Sequence, residues 1–134
     1  MVIVMGGSTV YAWTSKQKMT AKSSCESEII GLSDGISEVL GCREFMIYQG
    51  YNASPATIYE DNTSVIDLIQ AGRPTSHRSR HMKARYFFLK DYIEAEEIIL
   101  RHLGTDAMLA DYLTKPLSTA KFVTFRDTVL GLME

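Results

Sequence analysis

Long hydrophobic runs, paired cysteine motifs and a strong excess of either charge are absent from this 134-residue chain. The apolar segment at residues 1–5 is too short for a signal sequence or a membrane span, and no Lys or Arg precedes it. The two cysteines, Cys25 and Cys42, match no C-x-x-C or Cys/His spacing, which favours reduced core thiols over a disulfide or a zinc site. We therefore expect an intracellular protein, cytoplasmic or nuclear, without a membrane partner.

A global basic field is also absent, because 16 acidic residues and 14 Lys and Arg give a net charge of −2. A nucleic-acid partner would need a local patch, and five of the 14 basic residues fall between positions 73 and 85. The candidate phosphate contacts are Lys16, Lys18, Arg78, Arg80, Lys83 and Arg85. They predict nucleic-acid binding that weakens with salt, and a solvated loop is the alternative.

The pattern of hydrophobic residues predicts one globular domain over residues 1–134, with the element order β-β-α-β-α-α-β-α-α. A Gly6-Gly7-Ser8 turn joins the first two strands, and a Ser23/Glu26 capping box begins a long helix that ends at Gly50. The later elements are a strand at 57–60, helices at 62–71 and through 86–93, a strand at 97–103, a helix at 106–114 and a final helix. This order predicts a mixed α/β fold, with an antiparallel hairpin, then parallel strands, and helices packed on the sheet.

Three acidic residues lie in phase with the apolar stripes of three different elements, namely Glu28, Asp61 and Asp111. Strand alternation places Glu60 on the opposite face from Asp61, so we expect only one of the two to face a site. Carboxylates on rigid elements suit Mg²⁺ or Mn²⁺ and predict a metal site. The alternatives are structural, with Asp61 as a helix cap, Glu28 as a favourable charge near a helix N-terminus and Asp111 as a solvated acid.

Four motifs in sequence order resemble the ribonuclease H domain that ends the polyprotein of copia-type LTR retrotransposons. They are "YAWTSKQKMTAKSSCESEI", "IYEDNTSVI", "HRSRHMKARYFFLKD" and "GTDAMLADYLTKPLSTAKF". The resemblance implies a ribonuclease H-like mixed sheet. It also implies that Glu28, Asp61 and Asp111 are catalytic carboxylates and metal ligands, and that Glu60 is a neighbour that varies within the family.

The resemblance implies Mg²⁺-dependent (or Mn²⁺-dependent) endonucleolytic hydrolysis of the RNA strand of an RNA–DNA hybrid. The hybrid would be distinguished through the 2′-OH groups in its minor groove. A further implied partner is the reverse transcriptase domain of the parent polyprotein.

The sequence departs from the family pattern at its start, where the family has a central strand that carries a fourth catalytic Asp. No acidic residue precedes Glu26. We therefore expect a domain that is truncated at its N-terminus, lacks the first central strand and has open sheet edges through which a homodimer could form. Lys83 and Phe87 also replace an Asp and a His of the family pattern.

The missing carboxylate leads us to expect weak or no hybrid cleavage by this chain. The alternative function is a catalytically dead or co-opted ribonuclease H-like module that binds nucleic acid or protein.

Overall fold

The computed structural model describes residues 1–17, 20–21, 23–71 and 83–132. The elements are β1 (Val2–Met5), β2 (Ser8–Ala12), α1 (Ser24–Tyr48), β3 (Ala56–Glu60), α2 (Thr63–Ala71), α3 (Lys83–Glu94), β4 (Ile98–His102), two 3₁₀ helices (Thr105–Ala107 and Leu109–Leu113) and α4 (Thr119–Val129). The prediction of a mixed α/β fold with a hairpin, parallel strands and packed helices is confirmed. The arrangement is consistent with a ribonuclease H-like fold.

The four described strands form two separate sheets of two strands each. Strands β1 and β2 are antiparallel, and the turn between them has positive φ angles of 59° at Gly6 and 83° at Gly7. Two positive φ angles match a type I′ turn, which explains the two glycines. Strands β3 and β4 are parallel, with Ile58 opposite Leu100. Among the residues described, no helix is long and apolar enough to cross a membrane.

The residues group into two compact units. The terminal unit combines Met1–Lys16 with Thr105–Glu134, and the central unit is Gln17–Gly104. The prediction that residues 1–134 form a single domain stays a prediction.

The core of the central unit joins three helices to the parallel sheet. Its buried residues are Ile29, Ile30, Ile36, Val65, Ile69, Leu89 and Ile98. Ser23 caps α1 as predicted, because its hydroxyl accepts a hydrogen bond from the Glu26 amide at 3.2 Å. Ile29 and Ile30, in the first half of α1, belong to this core. Close packing around them fixes the positions of the residues beside them.

The predicted helix at 106–114 is wrong in type, because the structure has two short 3₁₀ helices there. Their amide hydrogen bonds reach back three residues, as from Asp111 to Met108 at 3.1 Å. Gly104 and Pro116 limit this segment to a length at which an α-helix is marginal without tertiary support, so the tighter turn replaces it. The aromatic rings of Tyr112 and Phe122, 5.0 Å apart, attach the segment to α4.

Three helices end in the same way, with a residue of positive φ that donates its amide hydrogen to the carbonyl three residues earlier. This residue is Gly50 after α1 and Gly131 after α4, with φ of 86° and 67°. After α3 it is Glu96, with φ of 56°. Glycine is preferred at this position because it has no Cβ to clash in the left-handed conformation. Glu96 is therefore strained where the other two residues are not.

We expect Glu96→Gly to raise the free energy of unfolding by about 0.5–1 kcal/mol, because it removes the left-handed strain. Urea denaturation followed by circular dichroism measures the change. The matched control is Gly50→Ala, which introduces the same strain at a site where an added Cβ would meet no atom within 4 Å. It should lower the stability by a similar amount. A less stable Glu96→Gly protein would contradict this account of the helix end.

Candidate metal centre

Three carboxylates meet at the carboxyl end of β3 in the central unit. Glu60 is the last residue of the strand, Asp61 follows it in a bend, and Glu28 comes from the second turn of α1. One ligand oxygen from each of the three lies within 4.8 Å of the others. The structure thus brings together two of the predicted site residues, Glu28 and Asp61, and adds Glu60.

The expectation that only one of Glu60 and Asp61 could face a site is wrong. Alternation holds within β3, where Ile58 and Glu60 share the face covered by helices and Glu60 is 7% exposed. The strand ends at Glu60, however, so the chain direction changes at Asp61 and alternation no longer applies to it. The sequence did contain the signal for Glu60, because the same pattern that buries Ile58 turns Glu60 toward α1.

Asn62 connects the carboxylates to each other and to α2. Its side-chain Nδ2 donates to Glu28 Oε2 at 2.7 Å, and its backbone amide donates to Glu60 Oε1 at 3.1 Å. Its side-chain Oδ1 accepts from the Ser64 amide at 3.0 Å, which caps the N-terminus of α2. Sequence reasoning missed Asn62 as a member of the site.

The three negative charges oppose one another. The pKa of Glu60 is raised to about 7, by burial first and then by the nearby carboxylates of Glu28 and Asp61, against the lowering effect of the hydrogen bond from the Asn62 amide. Burial, followed by Glu28 and Glu60, also raises the pKa of the Cys25 thiol. A bound cation would favour the ionised form of Glu60 and so stabilise the cluster.

Asp111 lies in the terminal unit, in the second 3₁₀ helix. It is 5% exposed, so the alternative of a solvated acid is wrong. The Lys115 Nζ lies 2.9 Å from Asp111 Oδ1, one helical turn further along the chain. Its expected participation in a site with Glu28 and Asp61 stays a prediction.

The predicted phosphate contacts differ in how far the structure describes them. Lys18, Arg78 and Arg80 lie outside the described residues. Lys83 begins α3, and Lys16 is exposed.

Arg85 forms an ion pair with Asp34, at 2.7 Å, that joins α3 to α1. Arg85 therefore has a structural contact, and nucleic-acid binding by any of these residues stays a prediction.

Comparison with known proteins gives relatives among transposon polyproteins. The chain is 32% identical over 126 residues to the Retrovirus-related Pol polyprotein from transposon RE2 of Arabidopsis thaliana, which covers 92% of this chain and 8% of that protein. It is 28% identical over 119 residues to the Pol polyprotein from transposon TNT 1-94 of Nicotiana tabacum, with 88% and 9% covered. It is 24% identical over 123 residues to the Transposon Ty1-JR1 Gag-Pol polyprotein of Saccharomyces cerevisiae, with 90% and 7% covered.

The chain thus spans less than a tenth of the length of these relatives. No family model and no solved structure matches it. Its homologues are retrotransposon Pol polyproteins, and the similarity extends over nearly all of this chain.

We expect Glu60→Gln to raise stability at neutral pH and not in acid. A carboxyl whose pKa is raised by folding from 4.5 to about 7 is destabilising once it ionises, so stability falls as the pH rises through this window. The gain in the free energy of unfolding should be absent near pH 4.5 and reach roughly 1–3 kcal/mol at pH 8.

Urea denaturation in chelator across this range measures the difference. The matched control is Glu94→Gln, which replaces an exposed glutamate of α3. Wild type and Glu60→Gln with parallel pH profiles would contradict a strained carboxylate cluster.

Proposed function

We propose, from its homology to retrotransposon Pol polyproteins, that this chain is a ribonuclease H-type domain of a copia-like Pol polyprotein. Its substrate would be the RNA strand of an RNA–DNA hybrid, and its working partner the reverse transcriptase domain of the same polyprotein. One observation carries the proposal: Glu28 and Asp61, which match two catalytic positions of the resembled family, lie together although they come from different elements.

The donor set fits Mg²⁺ or Mn²⁺. The cluster offers only carboxylate oxygens, which are the ligands these hard cations prefer. Glu60 is nearly buried, and an unpaired charge there is costly unless a cation compensates it. Glu28, Glu60 and Asp61 would hold the ion in the central unit.

When bound, the ion would supply Lewis-acid stabilisation of the charge that develops during phosphodiester hydrolysis. The chain itself contributes position. Glu28 belongs to α1, where the next two residues, Ile29 and Ile30, are buried in the core. Glu60 is the last residue of the hydrogen-bonded strand β3, and Asp61 follows it. Ligands on such elements move little, and this preorganisation is what phosphoryl-transfer sites require.

A second candidate function is a binding module that does not cleave. It is favoured by the ion pair of Asp111, whose carboxylate already has the Lys115 ammonium at 2.9 Å. A carboxylate neutralised in this way is a poorer ligand for a divalent cation. Such a module would bind nucleic acid or protein without catalysis.

The cleavage test uses an end-labelled RNA–DNA hybrid with the purified chain, in Mg²⁺ and in chelator. We expect slow, Mg²⁺-dependent cutting of the RNA strand that Asp61→Asn reduces at least about 100-fold, since this substitution preserves shape and removes a charged ligand. Glu94→Gln is again the control and should retain the activity. Hybrid binding without any cleavage would support the second candidate. Absence of both binding and cleavage would contradict the nuclease function and would restrict the second candidate to protein binding.

The salt dependence of hybrid binding tests whether the basic segment at residues 73–85 contacts phosphate groups. We expect the double variant Arg78→Ala/Arg80→Ala to weaken binding and to reduce the slope of log affinity against log salt by about 1–2, because each lost phosphate contact releases one counterion fewer. Lys90→Ala, which removes a cation paired with Glu94 at 3.3 Å on α3, is the matched control. Equal slopes in the wild type and the double variant would mean that Arg78 and Arg80 do not contact phosphate groups.

A further inference from the structure

We propose that Asn62 is a positioning residue that fixes Glu28 and Glu60 in the arrangement that binds the cation. This inference rests on the proposed function, because it concerns the same cluster of Glu28, Glu60 and Asp61. It adds a role for a neutral residue that belongs to none of the predicted site positions.

The first step is the pair of contacts from Asn62 to the two glutamates. Nδ2 donates to Glu28 Oε2 at 2.7 Å, and the backbone amide donates to Glu60 Oε1 at 3.1 Å. One residue thus connects a carboxylate from α1 with a carboxylate from the end of β3. Separate groups on separate elements would drift independently, whereas a shared donor holds them at one spacing.

The second step is that α2 fixes the orientation of the Asn62 amide. Its Oδ1 accepts from the Ser64 amide, and its backbone carbonyl accepts from Val65 and Ile66 at 3.0 and 3.3 Å. Val65 is fully buried, so the start of α2 is anchored in the core. Because the amide oxygen is engaged by the helix, the NH₂ group is the one that faces Glu28.

The third step concerns charge. Asn62 holds one oxygen of each glutamate and leaves the other oxygen of each out of its own contacts. A neutral donor orients a carboxylate without cancelling its charge, which distinguishes Asn62 from a lysine at the same place. The cluster therefore keeps its negative charge for a cation while its geometry is fixed.

The alternative is that Asn62 serves only as the cap of α2, and Asn62→Ser separates the two roles. Serine is as good a helix cap as asparagine. Its hydroxyl, however, ends one bond short of the position of Nδ2 and does not reach Glu28. The variant therefore keeps the cap and removes the contact between Asn62 and Glu28.

The experiment titrates Mn²⁺ into the full chain, with free ion followed by electron paramagnetic resonance, and measures the urea midpoint without metal. We expect Asn62→Ser to lose about 10- to 100-fold in Mn²⁺ affinity while keeping a higher urea midpoint than Asn62→Ala, because serine retains the cap. Asn62→Ala should lose both affinity and stability. Asn52→Ser, at an exposed loop asparagine, is the matched control and should change neither.

Wild-type Mn²⁺ affinity in Asn62→Ser overturns the positioning role. The proposed function then still stands if Asp61→Asn abolishes Mn²⁺ binding. A wild-type chain that binds no Mn²⁺ overturns both the role and the metal site.

A measurement on the wild type guards against a variant that does not fold. The side-chain amide nitrogen resonance of Asn62 should shift when Mg²⁺ is added, because its hydrogen-bond acceptor, the Glu28 carboxylate, would bind the ion through its other oxygen. The resonance of Asn52 should not shift. An Asn62 resonance that is unchanged at Mg²⁺ saturation would overturn the proposal.

Discussion

The packing of α1 against β3 and α2 is the constraint on which the candidate centre depends. Ile29 and Ile30 of α1 belong to the same buried core as Val65 of α2, and Glu28 is the residue immediately before them. A helix whose apolar stripe is fixed in a core cannot rotate, so the residue at the edge of that stripe has a fixed direction. Burial of the two isoleucines thus holds Glu28 near the end of β3.

The cluster of Glu28, Glu60 and Asp61 is electrostatically unfavourable for the central unit. A nearly buried glutamate with two other carboxylates beside it is unfavourable by itself, as the raised pKa of Glu60 indicates. Proteins retain such arrangements mainly where a ligand or a catalytic task offsets the cost. The cation proposed for this cluster would offset that cost.

In the terminal unit, the buried acid Asp111 has a basic partner. Asp111 has a lysine one turn away, and the ion pair satisfies its charge within the unit. The aromatic contact of Tyr112 with Phe122 and the bonds of Lys121 to Thr105 and Asp106 hold the 3₁₀ segment against α4. Glu28 and Asp111 thus differ in their local electrostatics, because Glu28 lies beside two other carboxylates and Asp111 lies beside a lysine. This difference in local charge is the physical reason for considering two candidate functions.

The sequence by itself determined the local structure and two members of the site. The Gly-Gly turn, the Ser23 cap and the glycine that ends α1 each depend on one or two neighbouring residues, so they could be predicted from the chain alone. The phase of Glu28 and the motif match of Asp61 identified two of the clustered acids. Strand alternation indicated the buried face of Glu60, but only the tertiary structure decided that Asp61 lies beside it and that Asn62 connects Glu60 to Glu28. These features arise from contacts between residues far apart in sequence and from the point at which a strand stops, and local periodicity contains neither.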